Sequence, residues 1–318
     1  MSEQRSAAVT IPANRYNDRQ FVMVENSGLW RKSWLLAGTV DHLAEPGDFV
    51  ETRFGLAPVM VVRGDDGRLR GFENVCQHQA APLCRGSGGG LTEIRCAQHQ
   101  WTWDLAGRLQ AIDFGQPVGP DENIPLLPVH VETWGPLVFA SFDLGAEPLA
   151  DAIAPLVAAV EEAGIDPAGL RCRAVVSMLT GGNWKSLIDR TTAVAPIPDL
   201  GVVSFPDLAV HADAGAGTLT IVRARPYVSN DRSLLDVLVF DRRPPDGPEA
   251  GPRPLEVTLK PDDELPADTG VDPEIIAFGR RQIGVVPPAD DIEVDAAASP
   301  VIVALHAWLE GRLGRGAG

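Results

Sequence analysis

Several features are scarce or missing in this chain. No segment approaches the roughly 20 consecutive apolar residues that cross a bilayer. The opening MSEQRSAAVTIPANRYNDRQ has no apolar core of signal-peptide length. The expectation is a soluble, cytoplasmic protein. Basic residues are in deficit: 27 Lys and Arg stand against 43 Asp and Glu, a net charge of −16. Such a surface repels phosphate backbones and anionic lipid, so neither nucleic acid nor a membrane is an expected partner. Cysteine is sparse. Cys76, Cys84, Cys96 and Cys172 are too few for a disulfide scaffold in 318 residues. In a reducing compartment, closely spaced Cys and His more often bind metal. There is no internal repeat, no phosphate loop, no dinucleotide Gly motif and no Ser-His-Asp set.

Apolar content is ample at 45%, enough for two domains with proper cores. Residues 34–146 are rich in β signals and predict an all-β domain. WLLAGTV and APVMVVRG are strand-length apolar runs, and Asp66-Gly67 between Val59–Arg63 and Leu69–Phe72 predicts a hairpin. Ala106-Gly107 marks another turn, and VHVETWGPLVFASF closes this half. In EPLADAIAPLVAAVEEAG, Leu149, Ile153, Leu156, Val157 and Val160 recur at helical spacing, with Gly164 as the stop. This helix is expected to connect the domains. Residues 147–318 mix strands (LTIVRARPYV, LLDVLVFD) with helices near 183–190, 273–282 and 300–313, the last capped by Ser299-Pro300. PPDGPEAGPRP and PDDELPADTGVDP are too rich in Pro, Gly and Asp for regular structure. Residues 1–33 are expected to pack on the second domain. The fold class is α+β.

The chemistry sits in ENVCQHQAAPLCRGSGGGLTEIRCAQHQWTWDLAGRL. Cys76-x-His78 and Cys96-x-x-His99 are two short pairs in turn-rich sequence, separated by Gln79 to Arg95. Two thiolates and two imidazoles suit either tetrahedral zinc or a [2Fe–2S] cluster of Rieske type. In the second case each opposed loop supplies one Cys and one His, which is the order found.

NVCQHQAAPLCRGSGG and CAQHQWTWDLAGRL resemble the two cluster loops of Rieske non-haem iron oxygenases, the ring-hydroxylating and demethylating enzymes. WLLAGTVDHLAEPGDF and VVRGDDGRLRGFENVC upstream, and HVETWGPLVFASFD downstream as the last strand, match the same domain. The resemblance covers about residues 30–145 strongly. It implies that Cys76, His78, Cys96 and His99 hold a [2Fe–2S] cluster. Four positions depart from the family: Gln79 replaces an Arg, Ala97-Gln98 replaces Pro-Tyr, and Gln100 replaces a Gly. No ligand is lost. The respiratory Rieske type carries a further disulfide, but Ala81 and Gln98 stand at the places of its cysteines. Cys84, without a partner in the second loop, reads as a small buried side chain.

The family's second domain, of helix-grip (START-like) type, normally binds a mononuclear iron through two His and a carboxylate. Asn183-Trp184-Lys185 resembles the start of its ligand helix, with Asp189 at a usual Glu or Asp position. Counting onward places the bridging acid at Val194 and the two His at Ile197 and Val202, none of which binds iron. SFPDLAVH resembles a strand lying well downstream in the family, so the domain reads as shortened. VDPEIIAFGRRQ resembles the third ligand's helix, with Asp272 or Glu274 near the carboxylate position; a solvated helix start is the plainer reading. Of the six histidines, His42 and His130 lie in the first half, and His211 and His306 are far apart in sequence. The resemblance thus implies a [2Fe–2S] subunit without mononuclear iron and with no catalytic residue of its own. It would carry electrons or act as a scaffold in a mixed trimer or hexamer with a catalytic oxygenase paralogue, served by a ferredoxin or reductase. The alternatives are an oxygenase with atypical iron ligands and a regulatory, small-molecule-binding relative.

Overall fold

The computed structural model describes residues 8–119, 123–194, 202–204, 206–227, 231–243, 252–283, 290–295, 303–304 and 306–307. The chain divides into two compact units. One runs from Trp30 to Leu149 and adds Arg243–Pro254; the other comprises Met1–Leu29, Ala150–Arg242 and Leu255–Gly318.

The Trp30–Leu149 unit is built on a seven-stranded sheet. Its order is Leu35–Thr39, Leu137–Ser141, Pro128–Trp134, Leu69–Glu73, Ala57–Arg63, Phe49–Phe54 and Ser87–Gly88. Val59, Met60, Val61 and Val62 are all fully buried. A continuous apolar run rather than alternation is what a strand covered on both faces requires. The hairpin at Asp66-Gly67 forms as its turn chemistry predicts: Gly67 adopts φ 75° and the Gly64 N–H donates to the Arg68 carbonyl at 2.9 Å. HVETWGPLVFASFD is not one strand but two, Pro128–Trp134 and Leu137–Ser141. Gly135 turns at φ 54° and Pro136 has no N–H to give a ladder. A second sheet of four short strands, Gln116–Pro117, Leu109–Ile112, Thr102–Trp103 and Ile94–Arg95, carries the second Cys/His loop, while the first lies between Leu69–Glu73 and Ser87–Gly88 of the seven-stranded sheet.

The other unit is mixed α+β. Its six-stranded sheet runs Val202–Ser204, Leu208–Asp213, Thr218–Pro226, Arg232–Arg242, Leu170–Gly181 and Leu255–Leu259. Its helices are α1 (Asn14–Asn17), α2 (Arg19–Val24), α5 (Ala154–Glu162), α6 (Trp184–Val194) and α7 (Pro273–Arg281); α3 (Trp30–Lys32) belongs to the first unit and α4 (Leu149–Ala152) to the connection. The expected connecting helix is therefore broken at Ile153, because Pro155 in the first turn of α5 cannot donate back to α4. Its Gly164 stop is present at φ 65°. Helix α6 lies against the three strands Leu208–Asp213, Thr218–Pro226 and Arg232–Arg242.

Several elements escaped the sequence reading. Ala8–Ile11 pairs antiparallel with Ile292–Asp295, Leu255–Leu259 pairs in parallel with Leu170–Gly181, and a 3-10 turn forms at Ala267–Thr269 inside a loop expected to be irregular. The expected last helix is described only at 303–304 and 306–307, which are helical; Ser299-Pro300 lies outside the described residues. No helix among the described residues is long and apolar enough to cross a membrane.

Candidate metal centre

The two Cys/His loops differ in spacing but close in the same way. In the first, the Cys76 N–H donates to the Ala81 carbonyl (2.7 Å) and the Ala80 N–H to the Cys76 carbonyl (2.8 Å). In the second, the Cys96 N–H donates to the Trp101 carbonyl (2.8 Å) and the Gln100 N–H to the Cys96 carbonyl (3.0 Å). The residue four after each cysteine is left-handed, Ala80 at φ 56° and Gln100 at φ 61°. Each cysteine thus opens a loop of identical backbone bonding. The sequence hides this likeness, because neither left-handed position holds Gly and the His falls two residues on in one loop and three in the other.

The cysteines face inward. Cys76 and Cys96 are buried together in the core cluster of Met60, Phe72, Ile94 and Trp103, near enough for each thiol to act on the other. Burial is the main cause that pushes the Cys76 thiol up, so in the absence of metal it stays protonated. The histidines lie outward: His78 is exposed, His99 is half-buried, and their rings stand 4.7 Å apart. Among the described residues, no three His, Cys, Asp or Glu converge as ligands of one metal ion would. These four form two pairs instead, thiol beside thiol and imidazole beside imidazole. That suits a two-iron cluster, in which each iron takes only two protein ligands, better than one tetrahedral zinc.

Neighbouring side chains hold the loops. Trp101 stacks on His78 with centroids 5.1 Å apart and planes at 9°, and its indole N–H donates to Asp113 at 3.0 Å. The fully buried Trp103 donates to the Ile124 carbonyl at 2.9 Å. Asn74, just before the first loop, clamps its far end: its amide donates to the Cys84 carbonyl (2.9 Å) and accepts from the Leu83 and Cys84 N–H groups (both 3.0 Å). Asn74 and Asp113 were not singled out in the sequence, although an Asn two residues before a Cys-x-His is a visible signal for a loop clamp. Cys84 is half-buried, and burial with Glu51 nearby pushes its thiol up to about 12, which makes it inert at neutral pH.

Gln100 occupies a backbone conformation that favours Gly. Gln100→Gly is expected to raise the stability of this unit by about 0.5–1 kcal/mol by relieving the left-handed side chain. Thermal melts against the control Ala97→Gly would show it; equal effects of the two would refute the strain.

In the other unit, Asn183-Trp184-Lys185 is engaged with the N-terminal segment. Asn183 donates to the Tyr16 carbonyl (3.0 Å), Trp184 donates to Glu25 (3.0 Å), and Lys185 pairs with Glu25 at 2.5 Å. Val194 closes α6, Ile197 lies outside the described residues, and Val202 falls on a strand rather than a helix. Asp272 caps α7, accepting from the Glu274 N–H at 2.9 Å, and both are exposed; they are a solvated helix start. His42 bonds Thr39 (2.7 Å), His130 packs on Trp34, His211 is half-buried on its strand and His306 is buried against Tyr16.

Residues 33–126 match the family described as Rieske [2Fe-2S] domain. The first unit carries a Rieske domain. Its relatives are oxygenase subunits. The glycine betaine monooxygenase oxygenase subunit of Pseudomonas aeruginosa is 29% identical over 192 residues, 59% of this chain and 44% of the relative. The carnitine monooxygenase oxygenase subunit of Escherichia coli K12 is 32% identical over 184 residues, 57% of this chain and 49% of the relative. The matches thus span less than half of these relatives. In fold, the chain is similar to the quaternary ammonium Rieske monooxygenase CntA in complex with L-carnitine. The TM-score is 0.68 at 19% identity, covering 97% of this chain and 96% of that one. It is likewise similar to a naphthalene 1,2-dioxygenase from Rhodococcus sp., with a TM-score of 0.66 at 17% identity over 96% of this chain and 94% of that one. The Rieske domain therefore sits in a chain with the fold of these oxygenases.

Proposed function

We propose that Cys76, His78, Cys96 and His99 hold the [2Fe–2S] cluster. We propose further that residues 147–318 form a shortened helix-grip (START-like) domain without mononuclear iron. The chain would then be an electron-carrying or scaffold subunit beside a catalytic relative. The observation that carries the first part is the arrangement in two pairs, with buried thiols and outward imidazoles. The second part rests on Val194, Ile197 and Val202 at the positions where the resemblance calls for an acid and two histidines.

Bound in these loops, the cluster supplies one-electron reduction and oxidation. The protein's part is positional. Trp101 fixes the His78 ring by stacking, the twin loop closures hold the cysteines, and Asn74 keeps the first loop shut. His78 is the most exposed of the four, so an electron partner approaching this face meets imidazole first. The expected donor is a ferredoxin or reductase. The expected acceptor is an oxygenase paralogue that supplies its own bridging carboxylate, assembled with this chain in a mixed trimer or hexamer. The relatives' names suggest quaternary ammonium compounds as that paralogue's substrates.

Hydrogen bonds to the cluster sulfurs raise a Rieske potential. The respiratory type uses hydroxyls after its second His, where this chain has Trp101 and Trp103. Both indole N–H groups are engaged elsewhere, with Asp113 and the Ile124 carbonyl. The midpoint is therefore expected near the low end of the Rieske range, roughly −150 mV. A value above about +100 mV would contradict this.

The test of function is reconstitution. Purified with a catalytic paralogue from the native host, the chain should form a mixed complex whose turnover falls when His99→Ala is introduced here. Unchanged turnover would leave a scaffold; no complex with any paralogue would remove the heteromer. A second reading, an oxygenase with atypical iron ligands, is favoured by the relatives being monooxygenase oxygenase subunits, and iron content separates the two.

A further inference from the structure

A buried polar cluster beside α6 contains no cluster ligand. Tyr16 on α1 donates its hydroxyl to Asp189 on α6 at 2.7 Å and lies 3.1 Å from Nε2 of His306. Tyr16, Asp189 and His306 are each more than nine-tenths buried. Charged neighbours among the described residues include Arg15, which donates to the His306 carbonyl at 3.4 Å, and the pair Lys185–Glu25. Tyr16, near the start of the chain, thus bonds Asp189 of α6 on one side and His306, near its end, on the other.

A hydroxyl has one hydrogen to donate. When Tyr16 donates to an ionised Asp189, His306 must carry its proton on Nε2 and donate to the Tyr16 oxygen. Its Nδ1, which has no partner among the described residues, is then bare. A proton added at Nδ1 can be passed on. The Nε2 proton moves to the Tyr16 oxygen while the Tyr16 proton moves to Asp189. The result is a neutral carboxylic acid, an intact phenol and an imidazole protonated at Nδ1. One proton enters, two shift, and no charge is left on the histidine.

We infer that Asp189, Tyr16 and His306 form a proton-compensated latch: when the chain's two ends dock on α6, the proton that His306 holds in the open state passes through Tyr16 to Asp189. Burial supports the direction of transfer. It pushes Asp189 up to about 7 from 3.8, and His306 down to about 3 from 6.5. Closed, the latch holds one proton, on Asp189. Open, it also holds one between about pH 4 and 6.5, on His306. Docking neither takes up nor releases a proton in that window, so the latch is insensitive to pH there.

Removing either end of the relay exposes the other. For Asp189, whose closed-state pKa is raised, latching is strongest below its open-state value and is lost as pH rises towards 7. For His306, whose closed-state pKa is depressed, latching is present above 6.5 and lost as pH falls. Hydrogen exchange on the full, cluster-bearing chain reads this in peptides covering Tyr16 and His306, after correction for intrinsic exchange. In the wild type, protection of both should stay level from about pH 4.5 to 6. In His306→Gln it should fall about tenfold per pH unit over that range, and in Asp189→Asn it should rise about tenfold per unit. Slopes of the same sign in the two variants, or two ends that lose protection independently, would overturn the latch. Should a variant fail to fold, a wild-type slope of about tenfold per unit in either direction would overturn it alone.

Discussion

Glu25→Ala is expected to cost the second unit about 3–5 kcal/mol, most of its margin of stability. Lys185 is fully buried, and Glu25 is its carboxylate at 2.5 Å. Burial already pushes the Lys185 ammonium down, and Glu25 is the chief influence holding it up. The same carboxylate accepts the buried Trp184 indole N–H at 3.0 Å. Alanine would strand an ammonium and an indole donor together, and an unpaired buried charge costs far more than the pair contributes. The double variant Glu25→Gln, Lys185→Met should recover much of the loss, because it removes both buried charges and leaves an amide oxygen to accept from the Trp184 indole. Denaturant titration followed by far-UV signal would measure both, with cluster absorbance reporting the Rieske domain separately. A loss in Glu25→Ala below about 1 kcal/mol, the size of an exposed pair, would show that the pair is not an anchor.

Cys96→Ser should leave a colourless protein without the rhombic EPR signal of a reduced Rieske centre. Cys96 is buried beside Cys76, and both its backbone groups close the second loop. A hydroxyl there is a poor ligand for iron. Because the loops gain their order partly from what they bind, the Rieske domain should also lose stability. Cys84→Ser and Cys172→Ser are the controls, since neither lies in a Cys/His pair, and both should keep the colour. Colour retained in Cys96→Ser, or lost in Cys84→Ser, would reassign the ligands.

How much of this was legible in the sequence follows from the range of the contacts. The Cys/His pairs, the Asp66-Gly67 hairpin and the Gly164 stop are local, and short-range rules reach them. The twin closure of the two loops is local too. It was obscured because Ala80 and Gln100 stand where Gly would have marked the left-handed turn. The anchoring of α6 was not legible. Glu25 lies 160 residues from Lys185, and Tyr16 lies 290 from His306. No periodicity links them. Asn183-Trp184-Lys185 could be recognised as a motif, but its use as the seat of the N-terminal segment appears only in three dimensions. The β pairing of Ala8–Ile11 with Ile292–Asp295 escaped for the same reason, since two four-residue strands have no local sign of each other.

The most direct measurement is the iron and acid-labile sulfide content of the chain purified alone from cells supplied with iron. About two irons and about two sulfides per chain are expected, with the reduced EPR spectrum assigned wholly to the cluster. About three irons with the same two sulfides, together with a separate high-spin ferrous signal that survives Cys96→Ser, would contradict it and place a mononuclear iron in the second domain.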